Sequence, residues 1–101
     1  MNFIIKGRQQ GKTYKLIIAS EVTGYPILVS DSRRKVFLED MAKEMGCYIP
    51  EPMTYERHRR YPDGFHGEIL IDDAEKIIEK SLENTLGCKV VAVTITDRSS
   101  N

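Results

Sequence analysis

Hydrophobic and polar positions alternate along this chain in a regular sequence of short apolar runs and single-stripe helices. Asn2–Lys6 (N-F-I-I-K) is a compact apolar run of the buried-strand type. Gly7 to Gly11 is polar and glycine-bounded, and Lys12–Thr23 reads as a helix carrying Leu16, Ile17, Ile18 and Val22, closed by Gly24. Pro26–Ser30 (P-I-L-V-S) is a second buried strand. Asp31 or Ser32 caps a helix through Met45, whose Leu38, Met41, Ala42 and Met45 fall on one face, with Gly46 ending it. Cys47–Ile49 offers a third strand, closed at once by Pro50 and Pro52, which places it at a sheet edge. Residues 50–67 show no clear period and read as a long loop. Glu68–Asp72 (E-I-L-I-D) is a buried strand, Ala74 to Leu86 a third helix ended by Gly87, and Lys89–Thr96 the last strand.

This order, β-α-β-α-(β)-loop-β-α-β, predicts an α/β fold: a mainly parallel sheet of four to five strands between helices, three layers in all. With 101 residues it makes one domain, 1–101, with one modest core. Charged residues reach 30% and balance to a net charge of zero, which gives no reason to expect a polyanion partner overall. The balance hides an asymmetry, with residues 1–67 at net +3 and residues 68–101 at net −3. No apolar run approaches the ~20 residues of a membrane span, and no basic-then-apolar leader precedes the first strand. Cys47 and Cys88 each follow a glycine at a helix-to-strand junction and read as buried, inert thiols; the expected compartment is a reducing cytoplasm.

The candidate chemistry begins with G7-R-Q-Q-G-K-T13, between the first strand and the first helix. The phosphate-loop pattern is G-x-x-x-x-G-K-[S/T]. Gly11, Lys12 and Thr13 match its end, while position 6 is Lys6 and the leading glycine, Gly7, stands one residue late. Such a loop aims backbone N–H groups and a helix dipole at an anion. Gly7, Arg8, Gln9, Gln10, Gly11, Lys12 and Thr13 would then line a phosphate, with Lys12 reaching the β and γ positions and Thr13 a magnesium ion. The plainer alternative is a glycine turn before an ordinary helix, which fits poorly because a lysine in a helix's first turn opposes its dipole.

The second motif, E68-I-L-I-D-D-A-E75, ends an apolar strand in two aspartates. Ligands of parallel sheets bind beyond the carboxyl ends of the strands. Asp72 would share magnesium with Thr13, and Asp73 would orient an attacking water. The competing reading makes both aspartates helix caps, and Glu75 a first-turn acid.

Together the two motifs resemble the P-loop NTPases, over nearly the whole chain. D-D-A-E is similar to the acid boxes of the branch containing helicases, RecA-like ATPases and viral terminases, with Asp73 where Glu is usual. R-Q-Q-G-K-T is similar to the corresponding loop of tailed-bacteriophage terminases. The resemblance implies a small phage-like protein, cytoplasmic in a bacterial host, that binds Mg²⁺ with ATP or another NTP and hydrolyses it. It also implies that the last strand lies between the glycine-loop strand and the Asp72 strand. The polar tip of that strand, Thr94, Thr96 and Asp97, would sense the γ-phosphate, Thr96 first among them. In that branch the glycine-loop strand has a further neighbour. The chain past Asp97 is too short to supply one, so Asn2–Lys6 is expected at an edge, inviting a homodimer or higher oligomer through the first strand.

Basic and aromatic residues cluster from Tyr48 to Phe65. Arg57, Arg59 and Arg60, with Arg33 and Arg34 at the start of the second helix, could hold nucleic acid or a protein; the bland alternative is a solvated loop. The runner-up function is therefore a non-hydrolysing interaction or inhibitor module acting through residues 50–67. A small-molecule kinase stands third, with that segment as its lid.

Overall fold

The computed structural model describes residues 9–61, 64, 65 and 67–92. The expected first strand, with its oligomer contact, lies outside these residues. So do Gly7, Arg8, Thr94, Thr96 and Asp97.

The described chain is a small α/β protein built on a three-stranded parallel sheet. Its elements are α1 (Gln9–Thr23), β1 (Ile27–Val29), α2 (Ser32–Met45), β2 (Met53–Thr54), α3 (Tyr55–Arg60), β3 (Leu70–Ile71) and α4 (Ala74–Leu86). The sheet order is β2-β1-β3. Leu28 aligns with Met53 on one side and Ile71 on the other. The Asp72-bearing strand thus lies beside the Pro26–Ser30 strand.

All three residues of β1 are buried, which fits a central strand. Ile27 and Val29 point to one face, where they meet Leu16 and Ile17 of α1 and Leu38 and Ala42 of α2 in one cluster. Met41 and Met45 pack against it, completing the expected stripe of α2. The intervening Leu28 is buried outside that cluster, as is Ile77 of α4. Ile18, Val22 and Ile71 are exposed, so α1 buries a narrower stripe, and β3 a smaller surface, than the apolar runs suggest.

Helix ends follow local chemistry. The Asp31 carboxylate accepts the Arg34 N–H at 2.9 Å and starts α2. Gly46 ends it at φ 71°, and the Cys47 N–H reaches back to the Ala42 carbonyl. This is the left-handed cap that favours glycine.

Three expectations need correction. Residues 47–49 form no strand; Cys47 and Ile49 spend their side chains on the core, and the edge strand is Met53–Thr54, beyond the prolines. The segment expected to be a long loop contains that strand and the one-and-a-half turns of α3, which the Thr54 hydroxyl caps. Cys88 is exposed and Cys47 half-buried, and residues 89–92 are not in a strand. Among the described residues, no helix is long and apolar enough to cross a membrane.

Leu38 has no exposed surface and sits at the junction of α2 and β1. Leu38→Ala should lower the unfolding free energy by about 3 kcal/mol, measurable by urea denaturation. An exposed control on the same helix, Val36→Ala, should change it by less than about 0.5 kcal/mol.

Candidate functional site

Each described strand delivers its C-terminal end to a helix N-terminus: β1 to α2 through Asp31, β2 to α3 through Thr54, and β3 to α4 through Asp73. Because the strands are parallel, these junctions share one rim. The Asp72 N–H is fixed there by the Leu28 carbonyl at 3.0 Å. The fifth residue of α1, Thr13, reaches the same rim and is 1% exposed.

What joins these elements is Arg34. Its Nε donates to Asp72 Oδ2 at 2.5 Å, and its Nη2 donates to Asp72 Oδ1 at 3.2 Å and to Thr13 Oγ1 at 2.9 Å. The guanidinium also lies 4.6 Å from the centre of the Phe37 ring. Side-chain exposure is 17% for Arg34 and 7% for Asp72, so the pair is largely out of water. Hydrogen bonding to Asp72 pushes the Arg34 pKa up, against burial, with the charges of Asp72, Asp73 and Asp31 adding to the rise. Arg34 is therefore charged at every working pH. No buried side-chain polar atom among the described residues lacks a hydrogen-bond partner.

The link brings together two residues the sequence assigns to one metal ion, Thr13 and Asp72. As donors, a hydroxyl and a carboxylate suit Mg²⁺. The Arg34 guanidinium lies between them, bonded to both. Among the described residues there is no group of three or more His, Cys, Asp or Glu side chains that could hold one.

Gly11 and Lys12 are exposed in the first turns of α1, which starts at Gln9, earlier than the predicted Lys12. A Cβ at Gly11 would meet nothing within 4 Å, and its φ is not in the left-handed region. Packing among the described residues thus gives no reason for glycine inside this helix, where it costs about 1 kcal/mol relative to Ala.

Asp73 is exposed at φ 57°, ψ 66°, the only non-glycine residue with positive φ among those described. Its carbonyl accepts the Lys76 and Ile77 N–H groups, but its side chain makes no capping bond. The cap reading therefore explains neither aspartate side chain. Glu75 is in the first turn of α4, as expected of a dipole-favoured acid.

The basic–aromatic cluster is built differently from the expectation. Arg34 spends its Nε and Nη2 donors on Asp72 and Thr13. Arg57, Arg59 and Arg60 are exposed on α3, but Glu56 pairs with Arg59 at 2.5 Å and Arg60 at 3.7 Å, and Lys35 pairs with Glu51 at 2.9 Å. Beside them is an open cavity of about 270 Å³ lined by Lys35, Arg57, His58, Tyr61 and Phe65 among others. Arg33 is exposed.

Comparisons of the chain with protein-family models, with curated proteins and with solved structures return no match.

The ion pair itself makes a stability prediction. Arg34→Ala strands a nearly buried carboxylate and should cost about 3 kcal/mol. Asp72→Asn should cost a comparable amount. In a double-mutant cycle the two losses should fall well short of adding, with a coupling energy of at least about 1 kcal/mol. Additive losses in urea denaturation would mean the pair contributes nothing as a pair.

Proposed function

We propose that this chain is a small P-loop-type nucleotide-binding protein that takes the phosphates of a nucleoside triphosphate, ATP as first choice, at the C-terminal rim of its sheet. The observation that carries this reading is the Thr13–Arg34–Asp72 link. It brings the G-K-T segment and the D-D segment, far apart in sequence, to one polar rim where three helices begin. Two further features support it. Gly11 sits in a helix with no internal need for glycine, which suits the close approach of a ligand to the backbone. Lys12 projects beside it, exposed and in the first turns of α1, where its charge opposes the helix dipole unless an anion is bound.

In this reading the N–H groups of the first turn of α1 and the Lys12 ammonium hold the phosphates. Asp73 is the residue for turnover. Its left-handed backbone stores about 1 kcal/mol of strain and leaves its carboxylate exposed, one residue beyond the Asp72 ion pair. Strain kept in an exposed acid at a binding rim is a reason to look for a proton-handling role. A carboxylate there can accept a proton from a water attacking the terminal phosphate.

Lys12→Ala should abolish ATP binding in isothermal titration calorimetry while changing unfolding free energy by less than about 0.5 kcal/mol, since the side chain is exposed. Undiminished binding in the variant would sink the assignment of this loop.

Asn tolerates the left-handed backbone as Asp does. Asp73→Asn should therefore keep the fold and nucleotide affinity yet lower phosphate release by about a hundredfold. A wild-type protein that binds ATP but releases no phosphate would instead establish the non-hydrolysing binding module.

A further inference from the structure

The residue standing where a metal is expected is itself a cation. We infer that Arg34 is the resident cation of this site: its guanidinium replaces a divalent ion at Asp72 and Thr13, and a phosphate group binds against it without magnesium. The inference rests on the nucleotide-binding reading for the identity of the anion, but not for the occupancy of the cation position.

Both Asp72 oxygens are already bonded to Arg34. A magnesium ion requires a carboxylate oxygen at about 2.1 Å in a near-octahedral shell. It would have to expel the guanidinium to reach one. Expulsion breaks three hydrogen bonds and the contact with the Phe37 ring, and strands the guanidinium that Asp72 neutralises. Solvation also favours the arginine. A guanidinium is weakly hydrated and tolerates a site that is mostly closed to water. Magnesium gives up its water reluctantly and usually keeps several molecules of it. The Asp72 carboxylate, only 7% exposed, has little space for such a shell.

The position of Arg34 is built in from both ends. Its backbone N–H is bound by the Asp31 cap, which fixes the start of α2, and its fork is bound by Asp72 across the rim. The hydrogen bonds run from Nε and Nη2, and among the described residues Nη1 makes none. That nitrogen is the donor the proposal assigns to the anion. Arginine is suited to this double duty because its five donors can serve a carboxylate and a phosphate together. Asp72 neutralises the guanidinium charge, so Lys12 and the helix dipole of α1 supply the net attraction.

The test uses the full chain, with ATP as one probe and Mn²⁺ alone as the other. ATP affinity of the wild type is measured by calorimetry in EDTA and in excess Mg²⁺, and Mn²⁺ binding without nucleotide by electron paramagnetic resonance. The wild-type ATP dissociation constant is expected to differ by less than about threefold between the two conditions. The wild type should take up no Mn²⁺ through Asp72. Arg34→Gln should weaken ATP binding in EDTA by about tenfold or more, recover it in Mg²⁺, and gain a Mn²⁺ site that a second change, Asp72→Asn, removes. Arg34→Lys keeps the charge without the fork and serves if the Gln variant does not fold. It should weaken binding in EDTA without gaining Mn²⁺. The proposal is overturned if wild-type affinity rises about tenfold or more with Mg²⁺, or if the wild type binds Mn²⁺ in a manner that Asp72→Asn abolishes. Failure of ATP to bind under either condition would overturn the nucleotide reading and the phosphate part of this one, while the Mn²⁺ measurements still decide whether Arg34 holds the cation position.

Discussion

The sheet of this protein is held at its C-terminal rim by one largely buried ion pair. Strands of two and three residues make few ladder hydrogen bonds, so the register of α1, α2 and β3 at that rim needs another constraint. Arg34 provides it, because a planar fork fixes direction as well as distance. Taking two charges out of water is costly, and a buried pair is seldom a net gain over a well-packed apolar contact. What the pair supplies is specificity of arrangement: with α2 starting where Asp31 caps it, Arg34 reaches both Asp72 and Thr13.

The start of α2 shows the same compromise. Ser32, Arg33, Arg34 and Lys35 put three cations and no acid into a first turn, against the helix dipole. Each of two cations then meets a carboxylate from elsewhere in the chain, Arg34 meeting Asp72 and Lys35 meeting Glu51. The Asp31 cap offsets part of the remainder. Local preference is overruled by contacts with residues distant in sequence, which is the usual mark of a constrained site.

That contrast explains which features were legible in the sequence. The α2 stripe, its Asp31 cap and Gly46 stop, and the strand carrying Leu28 follow from periodicity and end chemistry alone. The elements missed are those without a period. Met53–Thr54 is two residues long and shielded by prolines, and α3 buries no residue at all, so it leaves no apolar stripe to read. The early start of α1 escaped for the opposite reason: Gln9 and Gln10 are good helix formers, and a glycine boundary at Gly11 suggested a loop where the helix simply continues. The sequence assigns Thr13 and Asp72 to one metal ion, and the structure joins them through Arg34. The signal for Arg34 was present in its unfavourable place in a helix's first turn, the same signal that singled out Lys12; what no periodicity could supply was which carboxylate would answer it.

Three local costs therefore fall at or beside one rim: a glycine inside α1 that packing does not require, an arginine opposing the dipole of α2, and an aspartate in left-handed backbone ahead of α4. Scattered over a surface, each would pass as tolerated variation of about 1 kcal/mol. Their concentration is the informative feature. Thr13 lies two residues past Gly11, and Asp73 directly follows Asp72, so the ion pair joins all three positions into one arrangement. The described residues offer no compensation for Gly11 or for the Asp73 side chain, and the one they offer Arg34 is bound up with the same arrangement. An anionic ligand that approaches the Gly11 backbone closely would offset the first two, and under the proposed reading the Asp73 carboxylate would act on the water that attacks it.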